Sequence, residues 1–127
     1  MTKPSSYSIN RRLTGLFDID DISVDDQDLL EYGQDWTRFY KPDPSAVVFP
    51  RNAQQVRDLV ELARKDHLGL VPSGGRTGMS GGACAIDKEI VVSFQKMNAV
   101  MEFDRDDATL TVEPGVVTAN LPQRAWE

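Results

Sequence analysis

The clearest signal along the chain is a change in the spacing of apolar positions between residues 46 and 71. Ala46, Val47, Val48 and Phe49 form a short unbroken apolar run, with Pro42 and Pro44 ahead of it and Pro50 behind. A run of that length punctuated by prolines predicts a buried strand. Directly afterwards Val56, Leu59, Val60, Ala63 and His67 recur at helical spacing. Asn52 is a good N-cap for that helix, with Gln55 three residues on, and Gly69 is the expected stop. Leu70 and Val71 then predict a brief strand that runs straight into a glycine-rich stretch at residues 72–82. The predicted order is strand, helix, strand, loop.

Patterning on either side is weaker. Residues 1–8 are polar and expected to fray, residues 9–16 suggest a short helix ending near Gly15, and residues 27–32 a helical turn. Between them Asp18, Asp20, Asp21, Asp25, Asp26 and Asp28 read as a solvated connection. Beyond the loop, Ile90, Val91 and Val92 predict a strand, residues 96–98 a turn, and Val100, Glu102 and Phe103 the first arm of a hairpin connected by residues 104–107. The return arm alternates as Thr109, Leu110, Thr111, Val112, Glu113, and Pro114 with Gly115 stops it before a helix beginning near Thr118. That helix would be cut off at Glu127 with its amphipathic face half built, so the carboxyl end reads as an imposed boundary and the active site as incomplete. No repeat or low-complexity segment stands out.

Composition narrows the function classes. A chain of 127 residues with 40% apolar content makes one lobe, short for an enzyme that encloses both a large cofactor and a substrate. A net charge of -6 and a pI near 4.7 argue against nucleic acid as a partner. One cysteine, Cys84, and one histidine, His67, give no internal disulfide and no spaced zinc set, which fits a reducing, cytoplasmic setting. The acidic first thirty residues suit neither a secretory signal nor a membrane span, although peripheral attachment of a complete enzyme to the inner face of a membrane stays open.

Candidate chemistry concentrates in residues 72–82, PSGGRTGMSGG, where five of eleven residues are glycine and Ser73, Thr77 and Ser80 supply hydroxyls. Glycines permit positive φ and let main-chain N–H groups approach a ligand, and successive N–H groups facing one concavity bind anions such as a pyrophosphate. A mobile surface loop or a tight packing corner accounts for the same composition, and the residues alone leave both readings open. A Walker A loop is absent, since no Gly-Lys pair falls at the required spacing. The GxGxxG fingerprint is absent too, and the segment leads to a strand instead of opening a helix.

The stretch PSGGRTGMSGGA, preceded by SAVVFPRNAQQVRDLVELARK and followed by EIVVSFQKMN and TVEPGVV, resembles the FAD-binding domain of the vanillyl-alcohol oxidase superfamily, the FAD-linked oxidases of PCMH type. Within it the sequence is most similar to the D-2-hydroxyacid dehydrogenases, among them glycolate oxidase FAD subunits, D-lactate dehydrogenases and D-2-hydroxyglutarate dehydrogenases. The resemblance covers the chain from about Tyr32 onward. It implies an α+β fold, a small mixed sheet with flanking helices, in which residues 32–127 are the first subdomain of the FAD-binding domain and residues 1–31 an amino-terminal helical and acidic extension. It also implies that Ser73, Gly74, Gly75, Arg76, Thr77, Gly78, Met79, Ser80 and Gly81 wrap the FAD pyrophosphate, and that Pro114 and Gly115 come near the cofactor. Some relatives carry a histidine at the Arg76 position and link it covalently to the flavin. An arginine forms no such bond, so noncovalent FAD is expected, with Arg76 able to add charge near a phosphate. The family's second flavin segment and its substrate-handling cap lie outside this sequence. The resemblance therefore assigns no catalytic residue here and no metal ligand, and an isolated piece is expected to hold FAD weakly or not at all.

Other residues carry bland explanations. Asp35 and Tyr40 read as a turn-forming carboxylate and a packing aromatic. His67 suits the carbonyl end of its helix, Cys84 a buried small position, and Trp36 and Trp126 ordinary packing. The expected activity of the parent protein is oxidation of a 2-hydroxy acid by hydride transfer to flavin. The alternative is a noncatalytic domain that uses the same scaffold for folding or protein contact.

Overall fold

The computed structural model describes residues 6–121, and at its centre lies a four-stranded mixed sheet. Strands β2 (Ala46–Val48) and β3 (Leu70–Ser73) run parallel to β4 (Ile90–Ser93), which lies between them, while β1 (Ile22–Ser23) pairs antiparallel with the outer edge of β2. Every residue of β2 and β4 is buried, which is why their apolar runs show no alternation in sequence. The side chains nevertheless divide between two cores. Ala46, Val48, Ile90 and Val92 pack with Ile9 and Leu13 of α1 (Ser6–Leu13), with Phe17, and with Leu59 of α3 (Ala53–Asp66). Val47, Phe49, Val71 and Val91 pack on the other face with Ala85 and with Leu29 and Tyr32 of α2 (Asp26–Tyr32). The result is the expected α+β sheet with helices on both faces. Each fully buried aliphatic side chain contributes about 2 kcal/mol.

Helix α3 begins as its sequence predicts. The Asn52 side chain accepts from Gln55 N at 3.0 Å, and Gln55 Oε1 accepts from Arg51 N at 2.8 Å. Its end corrects the expectation. The helix stops at Asp66, and His67, not Gly69, takes the left-handed conformation at φ 53° while its N–H reaches Ala63 O. Gly69 is small for another reason, because a Cβ there would lie 2.7 Å from Glu89 Cγ.

The acidic stretch is likewise more than a solvated connection. It contains a 3-10 turn at Ile19–Asp21 and then β1, and the Asp21 side chain is fully buried. Arg51 Nε and Nη2 donate to its two oxygens at 2.7 and 2.9 Å, and Lys96 Nζ donates at 2.5 Å. A carboxylate removed from water is tolerated only with such partners. The Arg51 hydrogen bonds, working against burial and aided by Lys96, hold this carboxyl below the usual 3.8. Arg51 follows β2 and Lys96 follows β4, so Asp21 fastens the beginning of the chain to the carboxyl ends of two central strands.

The hairpin forms as expected from β5 (Val100–Asp104) and β6 (Thr109–Val112), with an irregularity between Val100 and Glu102, and it stands apart from the main sheet. Where a helix was expected near Thr118, the chain makes a 3-10 turn at Thr118–Asn120. The continuation of that helix, and Trp126, lie outside the described residues. No helix among the described residues is long and apolar enough to cross a membrane.

Candidate functional site

The glycine-rich loop leaves the carboxyl end of β3, beside the turn Phe94–Lys96 that leaves the same end of β4. In open sheets with parallel strands this is the end at which ligands bind. Ser73 is the last residue of β3, in register with Ser93 at the end of β4. Both hydroxyls are buried, and among the described residues neither has a hydrogen-bond partner. Buried polar groups are usually satisfied, so the pair marks these strand ends as incomplete in polar terms.

From Gly74 onward the loop is mostly exposed. Among the described residues, the amides of residues 75–80 donate to no protein acceptor. The loop's left-handed positions are Arg76 at φ 56° and Gly81 at φ 80°. Glycine flexibility is therefore used at Gly81, whereas the turn in the middle of the loop is made by the arginine. At Gly74 and Gly78 an added Cβ would meet nothing within 4 Å. Packing among the described residues does not require those glycines, but close approach of a ligand to the backbone would.

The carboxyl half of the loop is held by residues 33–40. Trp36 N donates to Gly78 O at 3.1 Å, Gly81 N donates to Asp35 Oδ2 at 2.9 Å, and Ala85 N donates to Gly33 O at 3.0 Å. The Tyr40 ring lies directly under Gly81, where a Cβ would sit 3.1 Å from Cε2. Asp35 also accepts from Thr37 N at 3.0 Å and from Thr37 Oγ1 at 2.6 Å, and it is only 3% exposed. The Thr37 hydroxyl and the two backbone donors hold its carboxyl below the usual value in spite of burial. Cys84 is half-buried, less enclosed than the buried position expected of it, and desolvation pushes its thiol upward. Asp35 is thus more than the local turn former expected from sequence, because its bond to Gly81 spans 46 positions. Only its Asx-type contact with Thr37 was visible in the local pattern.

Opposite the loop stands the segment after the hairpin. Gly74, Gly75, Arg76 and Thr77 form one wall of a hollow of about 490 Å³, and Gln95 with Pro114 to Ala119 forms the other. The two stretches singled out in the sequence are therefore brought together across one cavity. Gly115 has a local reason to be glycine, since a Cβ there would fall 1.9 Å from Phe94 O, and its N–H donates to Met97 O at 2.8 Å. Met79, Ser80 and Gly81 belong to the same loop but not to the lining of this hollow. Arg76 lines it and also a second hollow of about 450 Å³ beside α2 and Trp36. Its guanidinium pairs with Glu31 at 3.0 Å and lies 4.5 Å from the centroid of the Tyr32 ring.

Free amides, exposed hydroxyls at Thr77 and Ser80, and glycines with open space above them fit a diphosphate. The donor set is chiefly neutral backbone, with Arg76 the cation within the loop.

The chain is also similar to known proteins. Residues 44–127, more than half of the chain, match the family model described as FAD binding domain. A D-2-hydroxyglutarate dehydrogenase of Stutzerimonas stutzeri is 48% identical over 104 residues, covering 82% of this chain and 22% of that protein. Another, from Xanthomonas citri pv. viticola, is 38% identical over 91% of this chain and 24% of its own length. The glycolate oxidase subunit GlcD of Bacillus subtilis is 34% identical over 72% of this chain and 20% of its own length. The chain thus spans about a fifth to a quarter of the length of these relatives. Among solved structures, an alkyldihydroxyacetonephosphate synthase superimposes with a TM-score of 0.80 at 22% identity, covering 98% of this chain and 26% of that one. A p-cresol methylhydroxylase with substrate bound gives 0.78 at 19% identity, covering 95% and 24%. These likenesses establish a shared fold.

Proposed function

The chain belongs to the FAD-binding domain family, and from that premise we propose that its glycine loop holds the FAD diphosphate. The observation that carries the proposal is the row of uncommitted amides at residues 75–80, beside a hollow closed on its far side by Pro114 and Gly115. Ser73, Gly74, Gly75, Arg76, Thr77, Gly78, Met79, Ser80 and Gly81 make up the diphosphate-binding loop, of which Gly74 to Thr77 line the hollow, with Thr77 and Ser80 adding hydroxyl donors. An arginine at position 76 forms no covalent bond to the flavin, and its guanidinium, now paired with Glu31, would add charge near a phosphate. Residues 32–127 act as the first subdomain. Of the amino-terminal extension, residues 1–31, Ile9 and Leu13 pack on it and Asp21 forms its ion pairs with it.

The whole protein is an FAD-dependent oxidoreductase that oxidises a D-2-hydroxy acid. The names of its relatives support this, two being D-2-hydroxyglutarate dehydrogenases and one a glycolate oxidase subunit. FAD held by this loop would supply the redox chemistry, as hydride acceptor. The part played by this chain is orientation. Its amides would hydrogen-bond the diphosphate and so orient the bound cofactor, while substrate contacts and proton removal come from the rest of the protein.

The test uses the full-length protein reconstituted with FAD. Visible flavin absorbance should be present, should bleach on anaerobic addition of a D-2-hydroxy acid such as D-2-hydroxyglutarate, and should be lost when Gly74 and Gly75 are both replaced by valine. A protein that stays colourless after reconstitution would sink this reading and favour a noncatalytic scaffold.

A further inference from the structure

Resting on that reading of the loop, we propose that Asp35 is the positioning residue of the diphosphate site. It fixes the carboxyl half of the loop so that the amides of the other half remain free for the ligand. Asp35 lies upstream of residues 44–127, outside the stretch that matches the family model.

The Asp35 carboxylate is enclosed on both oxygens. Its contacts are all donors: Gly81 N at 2.9 Å on one oxygen, and Thr37 N at 3.0 Å with Thr37 Oγ1 at 2.6 Å on the other. An ionised carboxylate accepts through both oxygens and donates through neither, so it alone satisfies such a ring of N–H and O–H groups. An asparagine would turn an NH2 toward one set of these donors and leave a buried clash of like polarity.

The consequence for the loop follows from peptide geometry. Gly78 O is bonded to Trp36 N, the residue next to Asp35. In a planar trans peptide the C=O of one residue and the N–H of the next point in opposite directions. The Met79 N–H therefore points away from the residue 33–40 segment. At Gly81 the relation is reversed. Its N–H is consumed by Asp35, and the Ser80 carbonyl points away from that carboxylate. Two peptide planes at the carboxyl side of the loop are thereby set by the Asp35–Trp36 step, and Gly81 can hold its place at φ 80° against the Tyr40 ring. A glycine-rich loop without these anchors would lose more backbone freedom on binding and would bind more weakly for that reason.

The test compares FAD with riboflavin, which carries the same ring but no diphosphate, by fluorescence titration of the full-length apoprotein. Wild type should bind FAD more tightly than riboflavin. In Asp35→Asn the FAD dissociation constant should rise at least about tenfold, while that for riboflavin changes less than about twofold. If Asp35→Asn does not fold, Thr37→Val serves in its place. It removes one donor that orients the carboxylate and should give the same selective loss at about threefold. Equal weakening of both ligands, or of neither, overturns the positioning role while leaving the diphosphate reading intact. A wild type that shows no preference for FAD removes the diphosphate site itself, and the proposal falls with it.

Discussion

The glycine loop and the segment that faces it across the hollow hold glycines for opposite reasons. Gly115 is pressed against the turn after β4, where a Cβ would sit 1.9 Å from Phe94 O and 2.7 Å from Met97 O. Gly74 and Gly78 face open space, with nothing within 4 Å of where a Cβ would stand. The first is a glycine demanded by the chain's own packing, and the others find no demand there. Composition treats them alike, yet they should respond to substitution in opposite ways. Packing glycines protect the fold, whereas open glycines protect access to the backbone.

The largest effect that would sharpen this contrast is expected from Gly115→Ala. With backbone carbonyls in the path of the new methyl group, urea unfolding should show a loss of about 3 kcal/mol, and any loss of FAD would follow from it. Gly78→Val should do the reverse. Its unfolding midpoint should barely move, while FAD affinity in the full-length protein falls at least about tenfold, roughly 1.4 kcal/mol. Equal destabilisation by the two changes would erase the distinction.

A third prediction concerns the turn on which Gly115 rests, which Lys96 fastens to Asp21. Because the folded state holds the Asp21 carboxyl below 3.8, its contribution is fully present above that pH and is lost as pH falls through the lowered value. Asp21→Asn should therefore destabilise by about 1 kcal/mol at pH 7, a figure discounted because Arg51 is half exposed. The difference between variant and wild type should shrink below pH 3.8, as measured by urea midpoints across that range. A gap that stays constant into acid would contradict the ion pairs. The smallest effect is expected from Gly82→Ala, where a Cβ also meets open space but the position lies beyond the Asp35 anchor. Stability and FAD affinity should both stay within about 0.5 kcal/mol of wild type.

Much of the fold was legible because its signals are local. The Asn52 and Gln55 capping pair, the apolar runs at 46–49 and 90–92, and the alternation at 109–113 each predict an element from adjacent residues, and each element is present. What was not legible depends on distance along the chain. Asp21 looked like one solvated acid among several, since its partners are Arg51 and Lys96, 30 and 75 positions away. Strand β1 is two residues long, too short to show alternation, and exists through its pairing with β2. The helix stop was assigned to Gly69 because glycine is the usual left-handed residue, but His67 takes that conformation and Gly69 yields to Glu89. At the site, the glycine loop and the Pro114–Gly115 segment could be named separately. That one hollow joins them, and that Asp35 anchors the loop from 46 positions away, required the three-dimensional arrangement.

The free amides of residues 75–80 are open to a direct measurement, hydrogen–deuterium exchange of the full-length protein with and without saturating FAD. Exchange across these residues should slow markedly when FAD binds, as their N–H groups acquire phosphate acceptors, while the outer strands of the hairpin at residues 100–112 remain unchanged. Bound FAD, proven by its absorbance, together with unaltered exchange at residues 75–80 would mean that the diphosphate lies elsewhere.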